Sequence, residues 1–177
     1  MTARHSLWPT RWLMTDERIG ERLWPAIGRL PAGGGIVFRH YGLGADERRR
    51  LAERVAADCR DRGLVLAVAG DEALARAVGA ALVHNPLEPG GLPFSRSVHS
   101  LREAMEAKAQ GAALLFVSPV HATRSHPGQR QLGEAAAVEI AKAAGVPAIA
   151  LGGMTEERFE GVAGAFHGWA GIDAWLA

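Results

Sequence analysis

Short apolar runs recur along the chain, each bounded by glycine, proline or a polar residue. The clearest spans 112–117 (AALLFV) and is followed at once by Ser118-Pro119. A run of that length between turn signals predicts a strand buried on both faces. Similar runs at 12–15 (WLMT), 35–39 (GIVFR), 64–69 (LVLAVA), 80–84 (AALVH) and 147–151 (PAIAL) predict further strands, with shorter ones at 95–98 and 168–172.

Between these runs the spacing becomes helical. Ile19, Leu23 and Ile27 lie four apart and predict a helix over 19–27. Asp46 opens a long charged helix to Arg62, stopped by Gly63, and Asp71 caps 72–78, ended by Gly79. Ser100, with Glu103 three residues on, is a capping box for a helix reaching Gln110. An alanine-rich helix follows at 132–144, Thr155 caps a short one, and 173–177 makes one last turn. Eight strands alternating with helices predict an α/β fold, a (β/α)8 TIM barrel in a single domain over 1–177. A doubly wound open sheet is the alternative. The 177 residues fall short of the roughly 250 typical of the barrel. The Pro/Gly stretch NPLEPGGLP in place of a helix after strand four, and a truncated last helix, account for the difference.

Composition narrows the function. A net charge of +1 supplies no field for nucleic acid or an anionic membrane, and no apolar run approaches a membrane span. The first ten residues, MTARHSLWPT, lack the apolar core of a secretory signal, which predicts a cytoplasmic protein. The one cysteine, Cys59, is in helical register with Leu51 and Val55 and reads as a buried small hydrophobe. Only Lys108 and Lys142 are lysines, both inside helical patterns, which argues against Schiff-base chemistry.

In such a barrel the working face lies at the C-terminal ends of the strands. Five of the seven histidines fall there: His40, His84, His99, His121 and His126. That placement points to acid/base chemistry near neutral pH. Their spacing fixes no zinc geometry. Gly152-Gly153, leading into the Thr155 cap, is a candidate phosphate cradle, and Asp173 on the next loop would repel an anion there. Arg39, ending strand two, either faces the same site or pairs with a strand-end acid.

These residues resemble the thiamine phosphate synthase/TenI family of (β/α)8 barrels, over about 12–175. Leu13-Met14-Thr15-Asp16 resembles its opening strand, and Phe38-Arg39 the segment around its Gln-x-Arg-Glu-Lys. Val83-His84 is similar to its Val-His-Leu-Gly, and Ser97-Val98-His99-Ser100 to its Gly-x-Ser-x-His-Ser. Ser118-Pro119-Val120-His121-Ala122-Thr123-Arg124-Ser125 resembles its Gly-Pro-Val-Phe-Pro-Thr-x-Ser/Thr-Lys. Val146-Pro147 through Gly152-Gly153-Met154 resembles its Pro-Val-Val-Ala-Ile-Gly-Gly-Ile.

The resemblance implies an enzyme of thiamine biosynthesis acting on a small phosphorylated heteroaromatic substrate. The synthase branch joins a pyrimidine pyrophosphate to a thiazole phosphate and uses Mg2+. Here its Gln and Lys beside the arginine become Val37 and Tyr41, and its metal-binding Asn-Asp aligns with Ala69-Gly70. The strand-six lysine becomes His126, and the phosphate-loop serine becomes Asp173. These departures turn the expectation toward the TenI branch, a thiazole tautomerase that transfers a proton without a cofactor. Its strand-six histidine aligns with Pro119, with His121 two residues on. His121 is therefore the expected shuttle, assisted by His99 or His126. Arg39, Thr123, Ser125, Gly152 and Gly153 are expected to hold the substrate. One alternative is an Mg2+-dependent synthase with Asp71 and Glu88 as displaced ligands. The other is a non-catalytic protein that binds a thiamine precursor. Homo-oligomer formation is left open.

Overall fold

A computed structural model describes residues 8–122 and 130–176. Among these residues are eight strands: β1 (Arg11–Met14), β2 (Gly35–Phe38), β3 (Val65–Ala69), β4 (Leu82–His84), β5 (Phe94–Val98), β6 (Leu114–Val117), β7 (Ala148–Leu151) and β8 (Gly168–Gly171). Each pairs in parallel with its sequence neighbours, and β8 returns to β1 through pairs such as Trp12 with Ala170. The sheet is thus a closed barrel, not a doubly wound open sheet. Among the described residues six α-helices pack outside it: α1 (Leu23–Arg29), α2 (Ala45–Arg62), α3 (Glu72–Val78), α4 (Leu101–Ala109), α5 (Glu134–Ala144) and α6 (Glu156–Glu160). No helix separates β4 from β5, and only a 3-10 turn, Asp173–Trp175, follows β8. Among the described residues no helix is long and apolar enough to cross a membrane.

Parallel strands under a helical shell bury both faces, so the sequence shows runs where the structure shows alternation. Inward side chains form one core, including Trp12, Met14, Val37, Leu114 and Phe116. Outward ones, such as Leu13, Ile36 and Leu115, join the helices in a second. Trp12 fills the barrel floor; a Cβ on Gly35 would overlap its indole. Above it Phe116 packs edge-on at 5.6 Å, and His84 edge-on to Phe116 at 5.0 Å. The filled barrel therefore ends upward in a polar ring at the face where the site lies.

The chain between β1 and β2 departs from the expected single helix over 19–27. Asp16 accepts from the Arg18 amide and starts a 3-10 turn, Glu17–Arg22, broken at Gly20 (φ 55°). The α-helix starts only at Leu23, with Pro25 in its first turn, where no amide donor is needed. Ile19, Leu23 and Ile27 are all buried, so the spacing is satisfied by two pieces. Cys59 is buried as expected, and burial pushes its thiol up to about 12.

Candidate active site

A cavity of about 760 Å³ opens at the C-terminal ends of the strands. Met14 of β1, His84 of β4, Ser97 of β5, Leu151 of β7 and Gly171 of β8 line it, with loop residues after β2, β5 and β6. Its volume is that of a small-molecule site.

His99 follows β5 and lines this cavity. Its amide donates to Glu103 Oε2 at 2.8 Å, while the Glu103 amide donates to Ser100 Oγ at 3.2 Å. The capping box thus reaches one residue further back than expected and holds His99 at the start of α4. The His99 Nδ1 lies 2.7 Å from the Ser118 carbonyl oxygen. A carbonyl only accepts, so Nδ1 carries a proton, and in the neutral ring Nε2 is the nitrogen with the lone pair. Among the described residues no protein group bonds Nε2.

The cavity floor is a closed polar network. The Ser97 amide donates to Asn85 Oδ1 at 2.8 Å, which assigns Nδ2 as the donor toward His84 Nε2 at 3.2 Å. His84 Nε2 therefore accepts, and its Nδ1–H donates to Ser95 Oγ at 2.9 Å. Ser97 Oγ is also 3.2 Å from Nε2. Asn85 takes the left-handed conformation (φ 49°) that this arrangement needs. Burial drives the His84 ring down to about 3, with Arg39 and Arg96 adding to the effect. His84 is therefore a neutral, saturated floor group. Sequence reasoning had it among the strand-end titratable histidines; the signal for its true setting is the polar alternation Ser95, Ser97 on the adjacent strand.

Cations flank the cavity on two sides. Arg39 lines the cavity and lies 3.6 Å from Asp16 Oδ2. Its amide and Nε are fixed by Thr15, on Oγ1 at 3.0 Å and on the carbonyl at 2.8 Å. Its Nη2 is buried without a hydrogen bond among the described residues, and burial lowers its pKa. Arg18, bonded to both Asp16 oxygens at 2.7 Å, holds that carboxyl down at about 2. Across the cavity Arg158 donates to the Gly153 carbonyl and also lines the wall. Sequence reasoning missed Arg158, which sits three residues past the Thr155 cap. Asp173 lines the same side, within the field of Arg18.

Gly152 and Gly153 line the cavity at φ 101° and 60°. A Cβ on Gly152 would lie 2.7 Å from Pro119 Cα, and one on Gly153 2.5 Å from the Ala122 carbonyl oxygen. The two glycines thus let the β6 and β7 loops pack against each other. The His121 amide joins them, donating to the Gly152 carbonyl at 3.1 Å.

His121 does not line the cavity. Its Nε2 is buried and lies 3.5 Å from Glu134 Oε1 at the start of α5. The expected shuttle is turned toward Glu134 of the helical shell. Thr123, Ser125 and His126 lie outside the described residues.

Asp71 does not line the cavity either. Its Oδ1 accepts from the Leu74 amide at 2.8 Å, and its Oδ2 lies 3.4 Å from Arg48. Glu88 is exposed on the β4–β5 loop. Among the described residues no group of three or more His, Cys, Asp or Glu is placed to hold a metal ion.

A family model described as thiamine monophosphate synthase (TMP-TENI) matches residues 86–174. A thiamine-phosphate synthase of Methanoregula boonei is 31% identical over 92% of this chain and 83% of that protein. The chain belongs to the thiamine monophosphate synthase family. Another relative, a thiamine-phosphate synthase of Methanoculleus marisnigri, is 32% identical over 81% of this chain and 76% of that protein. Among solved structures, a thiamine phosphate pyrophosphorylase from Pyrococcus furiosus matches with a TM-score of 0.80 at 24% identity, covering 97% of this chain and 89% of that one. At that identity the likeness shows the shared barrel.

The span matched by the thiamine monophosphate synthase family model holds His99, Ser118, Gly152-Gly153 and Asp173. Arg39, Tyr41 and Asp71 precede it. The family-model match therefore falls on the half of the barrel that contains His99.

Proposed function

We propose that this member of the family acts on a small phosphorylated heteroaromatic, moving a proton on a thiazole phosphate in a tautomerase-like reaction with His99 as proton carrier. The observation that carries this reading is the Nδ1–H hydrogen bond of His99 to the Ser118 carbonyl, which leaves Nε2 as a base in the cavity. His99 Nε2 takes a proton from one ring position, and the imidazolium returns one at another. Nothing is oxidised, no group leaves, and no cofactor enters the balance. Arg39 and Arg158 give the cavity positive charge for the anionic groups of the substrate. The proton role is assigned to His99 rather than His121 because His99 lines the cavity and His121 does not.

The test is to supply thiazole carboxylate phosphate and follow isomerisation by NMR. Turnover with the metal chelated supports the reading; no isomerisation at saturating substrate contradicts it.

A second reading is favoured by the relatives' names: joining two thiamine precursors with release of pyrophosphate. The cavity volume of about 760 Å³ is compatible with it. The Asp71 geometry weighs against its Mg2+ requirement, since both carboxylate oxygens have protein partners. Product formation from both precursors, dependent on Mg2+, would replace the first reading with this one. Tight precursor binding without turnover in either assay would indicate a binding protein.

A further inference from the structure

Arg48, the fourth residue of α2, folds back over the ends of β2 and β3. Its side chain is 13% exposed. Nε donates to the His40 carbonyl at 3.0 Å, Nη2 to the Ala69 carbonyl at 2.8 Å, and Nη1 to Asp71 Oδ2 at 3.4 Å. The guanidinium carbon lies 5.7 Å from the Phe38 ring centroid and 5.8 Å from that of Tyr41. Tyr41 lines the cavity.

The carbonyls of His40 and Ala69 and one carboxylate oxygen are the kind of oxygen donors a hard divalent cation takes. Here a guanidinium takes them. A metal entering this position would meet a fixed positive charge, and would have to unpair two carbonyls and a carboxylate from it.

We propose that Arg48 is a resident cation at the β2/β3 end of the barrel, taking the oxygens that a divalent ion would need and positioning Tyr41 as a wall of the cavity. Arg48 is a positioning residue, acting through Tyr41. The claim is independent of which reaction the cavity performs.

The experiment is a Mn2+ titration of the full chain, with free Mn2+ read by EPR. Wild type is expected to leave Mn2+ unbound through the high-micromolar range. Arg48→Met, which keeps an apolar stem beside the rings, is expected to gain one site at least about tenfold tighter than any wild-type binding, and adding Asp71→Asn to remove it. Wild-type Mn2+ binding that Asp71→Asn abolishes overturns the proposal. So does folded Arg48→Met without a gain. Arg48→Gln makes the same comparison if Arg48→Met does not fold, and the wild-type and Asp71→Asn titrations stand by themselves. The positioning role is read on Tyr41, the only tyrosine. Its phenol titration, followed by ultraviolet absorbance, is expected to move upward in Arg48→Met and back in Arg48→Lys; an unmoved titration overturns that role.

Discussion

The Nδ1–H of His99 meets the Ser118 carbonyl oxygen at 2.7 Å, joining the chain just after β5 to the chain just after β6. One hydrogen bond therefore decides which imidazole nitrogen is bare. In the neutral ring, 15N NMR is expected to show Nδ1 protonated and Nε2 unprotonated. A proton on Nε2 would remove the basis for the proposed role.

His84 predicts an acid-side effect on stability. Its folded value, about 3, lies below the ordinary histidine value of 6.5. The unfolded chain thus binds the extra proton between those limits, and stability falls as pH drops from about 6.5 toward 3. The slope from this one group approaches about 1.4 kcal/mol per pH unit within that window. Denaturant titrations of His84→Gln across the window are expected to show a shallower dependence. An unchanged slope would mean that the ring already protonates in the folded state.

Asp16 acts lower on the scale. Its carboxyl is depressed from 3.8 to about 2, chiefly by Arg18. That contribution is present above the unfolded value and is lost as pH falls through about 2. Arg18 is 58% exposed, so solvent screening discounts the pair. Asp16→Asn is expected to cost about 1 kcal/mol at pH 7 and little at pH 2, measured by urea unfolding. Equal losses at both pH values would assign the effect to packing.

Gly152→Ala tests the contact between the β6 and β7 loops. The added methyl meets Pro119 backbone, and φ is 101°. A destabilisation of about 1–3 kcal/mol is expected in denaturant unfolding, together with weaker substrate binding. Full stability in Gly152→Ala would mean that the loops can separate freely.

The strands were legible because each run is closed by glycine, proline or a cap. The caps at Asp71, Ser100 and Thr155 fall where the spacing placed them. The inner and outer faces were not legible, since both are apolar. Within the site, sequence could place five histidines near strand ends but not orient them. His99 turns inward on the Ser118 carbonyl, His121 turns toward Glu134, and His84 is sealed by Asn85 and two serines. Each outcome depends on hydrogen bonds between segments distant in sequence. Arg48 was hidden for the same reason: inside the charged α2 pattern it reads as a solvated residue, yet its partners come from the ends of two strands.

The most direct measurement of the central claim is the isomerisation rate of thiazole carboxylate phosphate by wild type and His99→Gln, side by side with excess EDTA. The expected result is wild-type turnover untouched by EDTA and a rate about 10²–10⁴-fold lower in His99→Gln. A His99→Gln rate equal to that of wild type would contradict it.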